Sequence, residues 1–190
     1  FKRLQNSMYF VTGNKNKLRE FEEILETKLD SIEIDLDELQ AIDIEPVVEH
    51  KTLEAYSRVN KPVIVEDTGI FIEVWNGFPG ALTKWMGESI GFRNMPGMLG
   101  ENRSAYAKTI IGYYNGKDFK TFEGRVDGSI ARIARGETGF GWDPIFIPDL
   151  PGPRDGLREG DKTFAEMSAK EKNAVSMRRQ ALEELKKWLN

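Results

Sequence analysis

Apolar residues along this chain fall into short runs, and their spacing changes from one stretch to the next. Met8 to Val11 is one such run, and Leu18, Phe21 and Leu25 recur behind it at helical spacing. A strand and a helix are therefore predicted on either side of the turn Thr12-Gly13-Asn14-Lys15-Asn16-Lys17. Ile32 to Leu36 reads as a second strand, and Val63-Ile64-Val65, fenced by Pro62 and expected to end in a turn, as a buried third. Farther on, Ala105 to Tyr114, Lys120 to Asp127 and Gly128 to Arg132 predict strands separated by Asn115-Gly116 and Asp127-Gly128 turns. Asn-Gly between such runs is a hairpin signal, so this half is expected to be antiparallel. At Ser168 a capping box with Glu171 predicts a helix running to about Asn190. Ala174, Ala181, Leu185 and Trp188 share one stripe of it, widened by Val175, Leu182 and Leu189.

Chemistry enters where this pattern is interrupted. In Val65-Glu66-Asp67-Thr68-Gly69 two adjacent carboxylates stand at the end of a buried strand, the edge at which open α/β sheets place their sites. One acid capping the next turn with the other solvated fits the same residues. The turn from Thr12 to Lys17 joins strand to helix, so its backbone N–H groups and the helix dipole suit an anion, with Lys15 and Lys17 adding charge. An ordinary Asn/Gly turn with solvated lysines is the plainer alternative. Glu38 is either a second carboxylate ligand or a surface acid, and Lys84, after the turn-rich Asn76 to Gly80, either a phosphate ligand or a solvated lysine. Gly139-Phe140-Gly141-Trp142-Asp143-Pro144 sets two aromatics between glycines, able to clamp a flat ring while Asp143 accepts from ring N–H groups, or to plug a core. Arg178 lies within the apolar stripe of the last helix, where a guanidinium must snorkel, pair with an acid or meet a ligand.

Composition narrows these options. The chain of 190 residues suits one domain and carries 31 acidic against 27 basic residues, for a net charge of -4. That balance argues against a general nucleic-acid or anionic-membrane binder. Cysteine is absent, which removes disulfides, thiol nucleophiles and thiolate metal sites and is compatible with a reducing cytosol. There is no apolar run long enough to span a membrane and no signal-peptide pattern. Residues 1–7 precede Met8 and are expected to be an upstream remnant outside the fold. The one histidine, His50, has no G-x-S-x-G elbow beside it, so a Ser-His-Asp mechanism is unsupported. Zinc would find few ligands here, whereas carboxylates suit Mg²⁺ or Mn²⁺.

Taken together, TGNKNK at Thr12 to Lys17, VEDTG at Val65 to Gly69, GFPG at Gly77 to Gly80, GFGWDPIF at Gly139 to Phe146 and FAEMSAKEKNAVSMRR at Phe164 to Arg179 resemble the inosine triphosphate pyrophosphatase family. The resemblance runs in order from Met8 to Asn190. It implies an α/β fold: an elongated two-lobed structure with a long central mixed sheet flanked by helices and an active-site cleft between the lobes. It further implies a single catalytic domain over residues 8–190, a cytoplasmic homodimer, and hydrolysis of ITP, dITP and XTP to monophosphate and pyrophosphate with Mg²⁺, or Mn²⁺ in its place. Such an enzyme clears deaminated purines from the nucleotide pool; its partner is a purine nucleoside triphosphate, with no nucleic acid and no membrane. Carried over residue by residue, Thr12, Gly13, Asn14, Lys15, Asn16 and Lys17 form the triphosphate loop. Asp67 becomes metal ligand and base for the attacking water, and Glu38 helps hold the metal. Lys51, Thr68, Lys84 and Lys172 match phosphate or nucleotide contacts, and Phe140, Gly141, Trp142, Asp143, Met177 and Arg178 match the base pocket.

Two departures stand out. Ser176-Met177-Arg178 occupies a place where the family usually reads Ser-His-Arg, so a hydrogen-bonding imidazole has become a thioether. Retained catalysis with altered base discrimination is the expectation. The stretch Pro151 to Asp161, rich in Pro, Gly and charge, reads as a longer loop than the family needs. A pyrophosphatase with another base preference, and a nucleotide-binding protein without turnover, are the alternatives.

Overall fold

The computed structural model describes residues 8–150 and 161–189; residues 1–7 and most of the Pro/Gly-rich loop lie outside the described residues. Strand β1 (Tyr9–Val11) leads through the Thr12-Gly13 turn into helix α1 (Lys15–Leu25). Asn14 starts that helix as its cap, Oδ1 accepting from the N–H groups of Asn16 at 2.9 Å and Lys17 at 3.2 Å. The apolar face seen in the sequence is buried: Phe21 stacks on Phe10 of β1 with ring centroids 4.1 Å apart. Full burial of such a side chain contributes roughly 1.5–3 kcal/mol.

There follow β2 (Ser31–Ile32), helix α2 (Ile44–Val59), the long strand β3 (Val63–Ile72), β4 (Pro79–Gly80) and helix α3 (Thr83–Ile90). After a 3-10 segment at Phe92–Met98 come β5 (Ser104–Tyr114), β6 (Phe119–Ile130) and β7 (Phe146–Pro148), then helices α4 (Ala169–Val175) and α5 (Met177–Leu189). The strands form one open seven-stranded sheet in the order β2-β1-β3-β5-β6-β7, with β4 paired to the far end of β3. Only the β1 contacts with β2 and β3 are parallel, so the sheet is mixed, as expected. Among the described residues no helix is long and apolar enough to cross a membrane.

Helices cover both faces, and two glycines set how closely they approach. A Cβ at Gly112 of β5 would lie 2.1 Å from Thr52 Oγ1 of α2. On the opposite face, a Cβ at Gly124 of β6 would lie 1.9 Å from the Met177 carbonyl oxygen of α5. The apolar interior divides accordingly. One cluster joins Phe10, Phe21, Ile64, Ile111 and Leu185 under α1 and α5, and another gathers Ile72, Met95, Phe146 and Phe164 at the far end of β3.

Several expectations need correction. Val65 is not followed by a turn: β3 continues through Asp67-Thr68-Gly69 because β5 pairs with it from Val63 opposite Tyr114 to Ile72 opposite Ala105. Asp127-Gly128 is likewise no turn but part of an unbroken β6, and Gly128 is required because a Cβ there would lie 2.2 Å from the Ile147 carbonyl of β7. Strand β2 stops at Ile32, and Ile34 and Leu36 pack beside Val63 and Val65 instead of pairing. The C-terminal helix is two helices, broken at Ser176, whose extended backbone (ψ 151°) restarts the chain while its Oγ accepts from the Arg179 N–H. The Asn115-Gly116 hairpin and the Ser168–Glu171 capping box form as read.

Candidate active site

The site lies where β1 ends beside β3. Val11 pairs with Val65, after which the chain leaves the sheet through the Thr12 turn and uncovers one edge of Glu66 and Asp67. Side chains alternate along a strand, so these neighbours point to opposite faces. Glu66 faces α1 and α5, and Asp67 faces α2. Lys17, on the first turn of α1, reaches across the uncovered edge to both, its Nζ 2.9 Å from Glu66 Oε2 and 3.8 Å from Asp67 Oδ1.

On the α2 side, Lys51 Nζ stands 3.2 Å from Asp67 Oδ2 and 3.2 Å from Glu38 Oε1. Lys84 of α3 approaches the same Glu38 oxygen at 3.7 Å. Thr68 N–H donates to Asp67 Oδ1 at 2.8 Å and fixes that carboxylate. Burial would raise Glu38, but Lys51 and then Lys84 hold it below the ordinary carboxylate range. Burial would likewise lower the Lys51 ammonium, yet Asp67 and Glu38 hold it above its usual value. Two carboxylates converging on one cationic atom form a hard-oxygen donor set of the kind that suits a divalent cation.

The opposite side is a closed ion network. Arg178, 2% exposed, donates to Glu20 and, at 3.0 Å, to Glu66. Lys172 donates to Glu20 at 2.8 Å and to Asp143 at 2.7 Å. Burial pushes Glu66 upward, but Arg178, Lys17 and the Thr68 hydroxyl overcome it and bring Glu66 down to about 2. Burial pushes Asp143 up, and Lys172 offsets this only in part. Asp143 Oδ2 also accepts from the Phe140 N–H at 2.8 Å, so the network fixes the aromatic turn, and Lys172 Nζ lies 4.7 Å from the Phe140 ring centroid.

These groups surround a cleft of about 770 Å³, within the range of small-molecule sites. Thr12, Gly13, Asn14, Lys15 and Lys17 line it from the turn, Glu38, Lys51, Asp67, Thr68 and Lys84 from the carboxylate side, and Phe140, Gly141 and Trp142 from the aromatic side. Asn16 lies outside the lining, and its N–H serves the Asn14 cap. Asp143, Lys172 and Arg178 sit behind the wall. Met177 is 1% exposed in the apolar cluster with Trp142 and Phe164, also outside the lining.

Sequence reasoning left out Glu20, the buried acid that bridges Lys172 and Arg178, and stopped short of a role for Glu66. Arg178 signalled a missing acid, but nothing local tied it to a helix more than a hundred residues earlier. Gly87, Glu88 and Phe92, which also line the cleft, carried no readable signal.

A model of the Ham1 family matches residues 8–188. The dITP/XTP pyrophosphatase of Thermococcus kodakarensis is 40% identical over 186 residues, covering 95% of each chain. The inosine triphosphate pyrophosphatase of Kluyveromyces lactis is 39% identical over 190 residues, covering 95% of this chain and 94% of its own. Among solved structures, the Ham1 protein of Staphylococcus aureus superposes with a TM-score of 0.77 at 27% identity, covering 96% of this chain and 97% of that one.

Proposed function

Since the chain belongs to the Ham1 family, we propose that it hydrolyses the deaminated purine nucleotides ITP, dITP and XTP to the nucleoside monophosphate and pyrophosphate. The observation that carries this reading is the division of one cleft into a charged end, where Glu38 and Asp67 flank Lys51, and an aromatic end at Phe140 and Trp142. A triphosphate needs the first and a base the second.

Glu38 and Asp67 would hold Mg²⁺, or Mn²⁺ in its place, which when bound neutralises phosphate charge and acidifies a coordinated water. Lys17, Lys51 and Lys84 add positive charge around the phosphates, and the turn from Thr12 to Lys17 supplies backbone donors at a helix start. Asp67, held by the Thr68 N–H, accepts the proton of a water aimed at the α-phosphorus. Phe140 and Trp142 give the base a flat apolar contact, and Asp143, Lys172 and Arg178 keep that turn in place from behind. Arg178 Cζ lies 6.0 Å from the Phe140 ring centroid, while its guanidinium donates to Glu20 and Glu66 beneath the turn. Selectivity for a 6-oxo purine would follow if a donor at this end meets the 6-oxo edge, since a 6-amino group would leave that donor without a partner.

Replacing Asp67 by Asn separates an enzyme from a nucleotide-binding protein. The hydrolase reading expects turnover to fall by about 100-fold or more while nucleotide binding persists. Turnover that survives this change would overturn the assignment of Asp67. The same premise extends to one catalytic domain over residues 8–190, acting as a cytoplasmic homodimer. A monomer by light scattering would refute the dimer.

A further inference from the structure

Helix α3 forms one wall of the cleft. Thr83, Lys84, Gly87 and Glu88 recur on its inner face, and Phe92 follows beyond the Gly91 corner. That wall has a direction. At its start Lys84 stands 3.7 Å from Glu38, at the charged end. At its finish a Cβ on Gly141 would lie 3.8 Å from Phe92 Cε2, so the ring reaches the aromatic turn. The helix start is fixed by Thr83, whose Oγ1 accepts from Ile70 N–H at 3.0 Å and donates to Gly80 O at 2.6 Å. The residues after Phe92 are tied down by Arg93, which donates to Gly136 O at 2.8 Å, and by Asn94, which donates to Ile90 O at 2.6 Å.

Phe92 occupies a notch that only glycine allows. A Cβ on Gly87 would lie 2.1 to 2.6 Å from Cζ, Cε2 and Cε1 at the outer edge of the ring. Gly87 is not in the left-handed region, so its lack of a side chain serves this contact and not a turn. The ring is half-buried: it rests against the apolar cluster of Met95 and Trp142 and keeps a surface on the cleft. An uncharged aromatic placed there has nothing to offer a phosphate and an apolar surface to offer a sugar or base.

We propose that Phe92, seated on Gly87, is a specificity-determining residue that touches the nucleoside part of the substrate and closes that end of the cleft. This rests on the nucleotide-hydrolase reading above. Phe92→Ala, Phe92→Leu and Gly87→Ala in the full chain test it, through IMP binding by calorimetry, kcat and KM for ITP, and inhibition by pyrophosphate, which has no nucleoside. Phe92→Ala should weaken IMP binding and raise the ITP KM about tenfold, equivalent to about 1.4 kcal/mol, in the range of one aromatic–base contact. Turnover at saturation and pyrophosphate inhibition should stay within about twofold of wild type. Phe92→Leu, which keeps the packing, should fall between, and Gly87→Ala should reproduce Phe92→Ala by displacing the ring. IMP binding that is absent from the wild type or unaltered by Phe92→Ala overturns the proposal. So does an equal weakening of IMP and pyrophosphate, which would mark a purely structural effect. Wild-type protein that binds IMP through Phe92 yet cleaves no ITP would sink the hydrolase reading and leave Phe92 in place, whereas ITP cleavage indifferent to Phe92 would do the reverse.

Discussion

Replacing Arg178 by Met probes the network that holds the site from beneath. The guanidinium is fully buried and shared by Glu20 and Glu66, so its loss strands carboxylate charge away from water. Glu66 is held at about 2 against an ordinary 4.5, with Arg178 foremost among the groups that offset burial. At about 1.4 kcal/mol per pKa unit this corresponds to about 3 kcal/mol of native-state stability. That figure is the net effect of burial, Arg178, Lys17 and Thr68 together, whereas breaking a buried pair from one side costs about 3–5 kcal/mol, the loss expected for Arg178→Met. Because the folded-state pKa is depressed, this stability is present above the unfolded value and is lost as pH falls towards about 2. The gap between wild type and Arg178→Met should therefore be full at pH 7 and narrow on acidification through the carboxylate range. Adding Glu66→Gln to Arg178→Met should recover part of the loss, since it removes the stranded charge. Urea unfolding at several pH values reads all three outcomes. A loss below about 1 kcal/mol at pH 7, the level of a surface pair, would refute the reasoning, as would a gap that does not change with pH.

Two other substitutions test the packing around the site. Gly124→Ala forces a Cβ to within 1.9 Å of the Met177 carbonyl and 2.8 Å of Ala181 N, so α5 must move off the sheet. A loss of about 3 kcal/mol is expected, seen as a fall in Tm of roughly 6–12 °C; an unchanged Tm would mean that the helix yields freely. Met177→His buries an imidazole among Trp142 and Phe164, behind the cleft lining, and by displacing Trp142 should change the ratio of ITP to GTP turnover. A ratio equal to that of the wild type would show that this position does not govern base discrimination.

The parts of the fold that local chemistry decides were legible in the sequence. Ser168 and Glu171 box α4, and Asn115-Gly116 closes the β5–β6 hairpin, each through hydrogen bonds a few residues apart. Gly128 was misread because its cause lies in another strand: it admits the Ile147 carbonyl and turns nothing. The end of β3 was misplaced for a similar reason, since pairing with β5 carries the strand past two carboxylates that look like a terminus. The break at Ser176 did have a local signal, a serine three residues before the N–H it accepts, but the apolar stripe continues across it and hid the cap. In the site, the Thr12 turn, the Glu66-Asp67 pair and the aromatic turn at Phe140 stood out locally, whereas Lys51, in the middle of α2, entered only through the family resemblance. Glu20 did not stand out, because its partners Lys172 and Arg178 come from the other end of the chain. Met177 was expected at the base pocket, yet it packs behind Trp142, a difference of side-chain direction that spacing alone does not fix.

Selective hydrolysis of deaminated purine nucleotides is tested by incubating the protein with ITP, XTP, GTP, ATP and dTTP, each with Mg²⁺ and again with excess chelator, and measuring monophosphate and pyrophosphate together. Rapid release of both products from ITP and XTP, weak release from GTP, ATP and dTTP, and none with chelator is the predicted result. Cleavage of every purine at one rate would contradict the selectivity, release of orthophosphate in place of pyrophosphate would contradict attack at the α-phosphorus, and no cleavage of any nucleotide would contradict the enzyme itself.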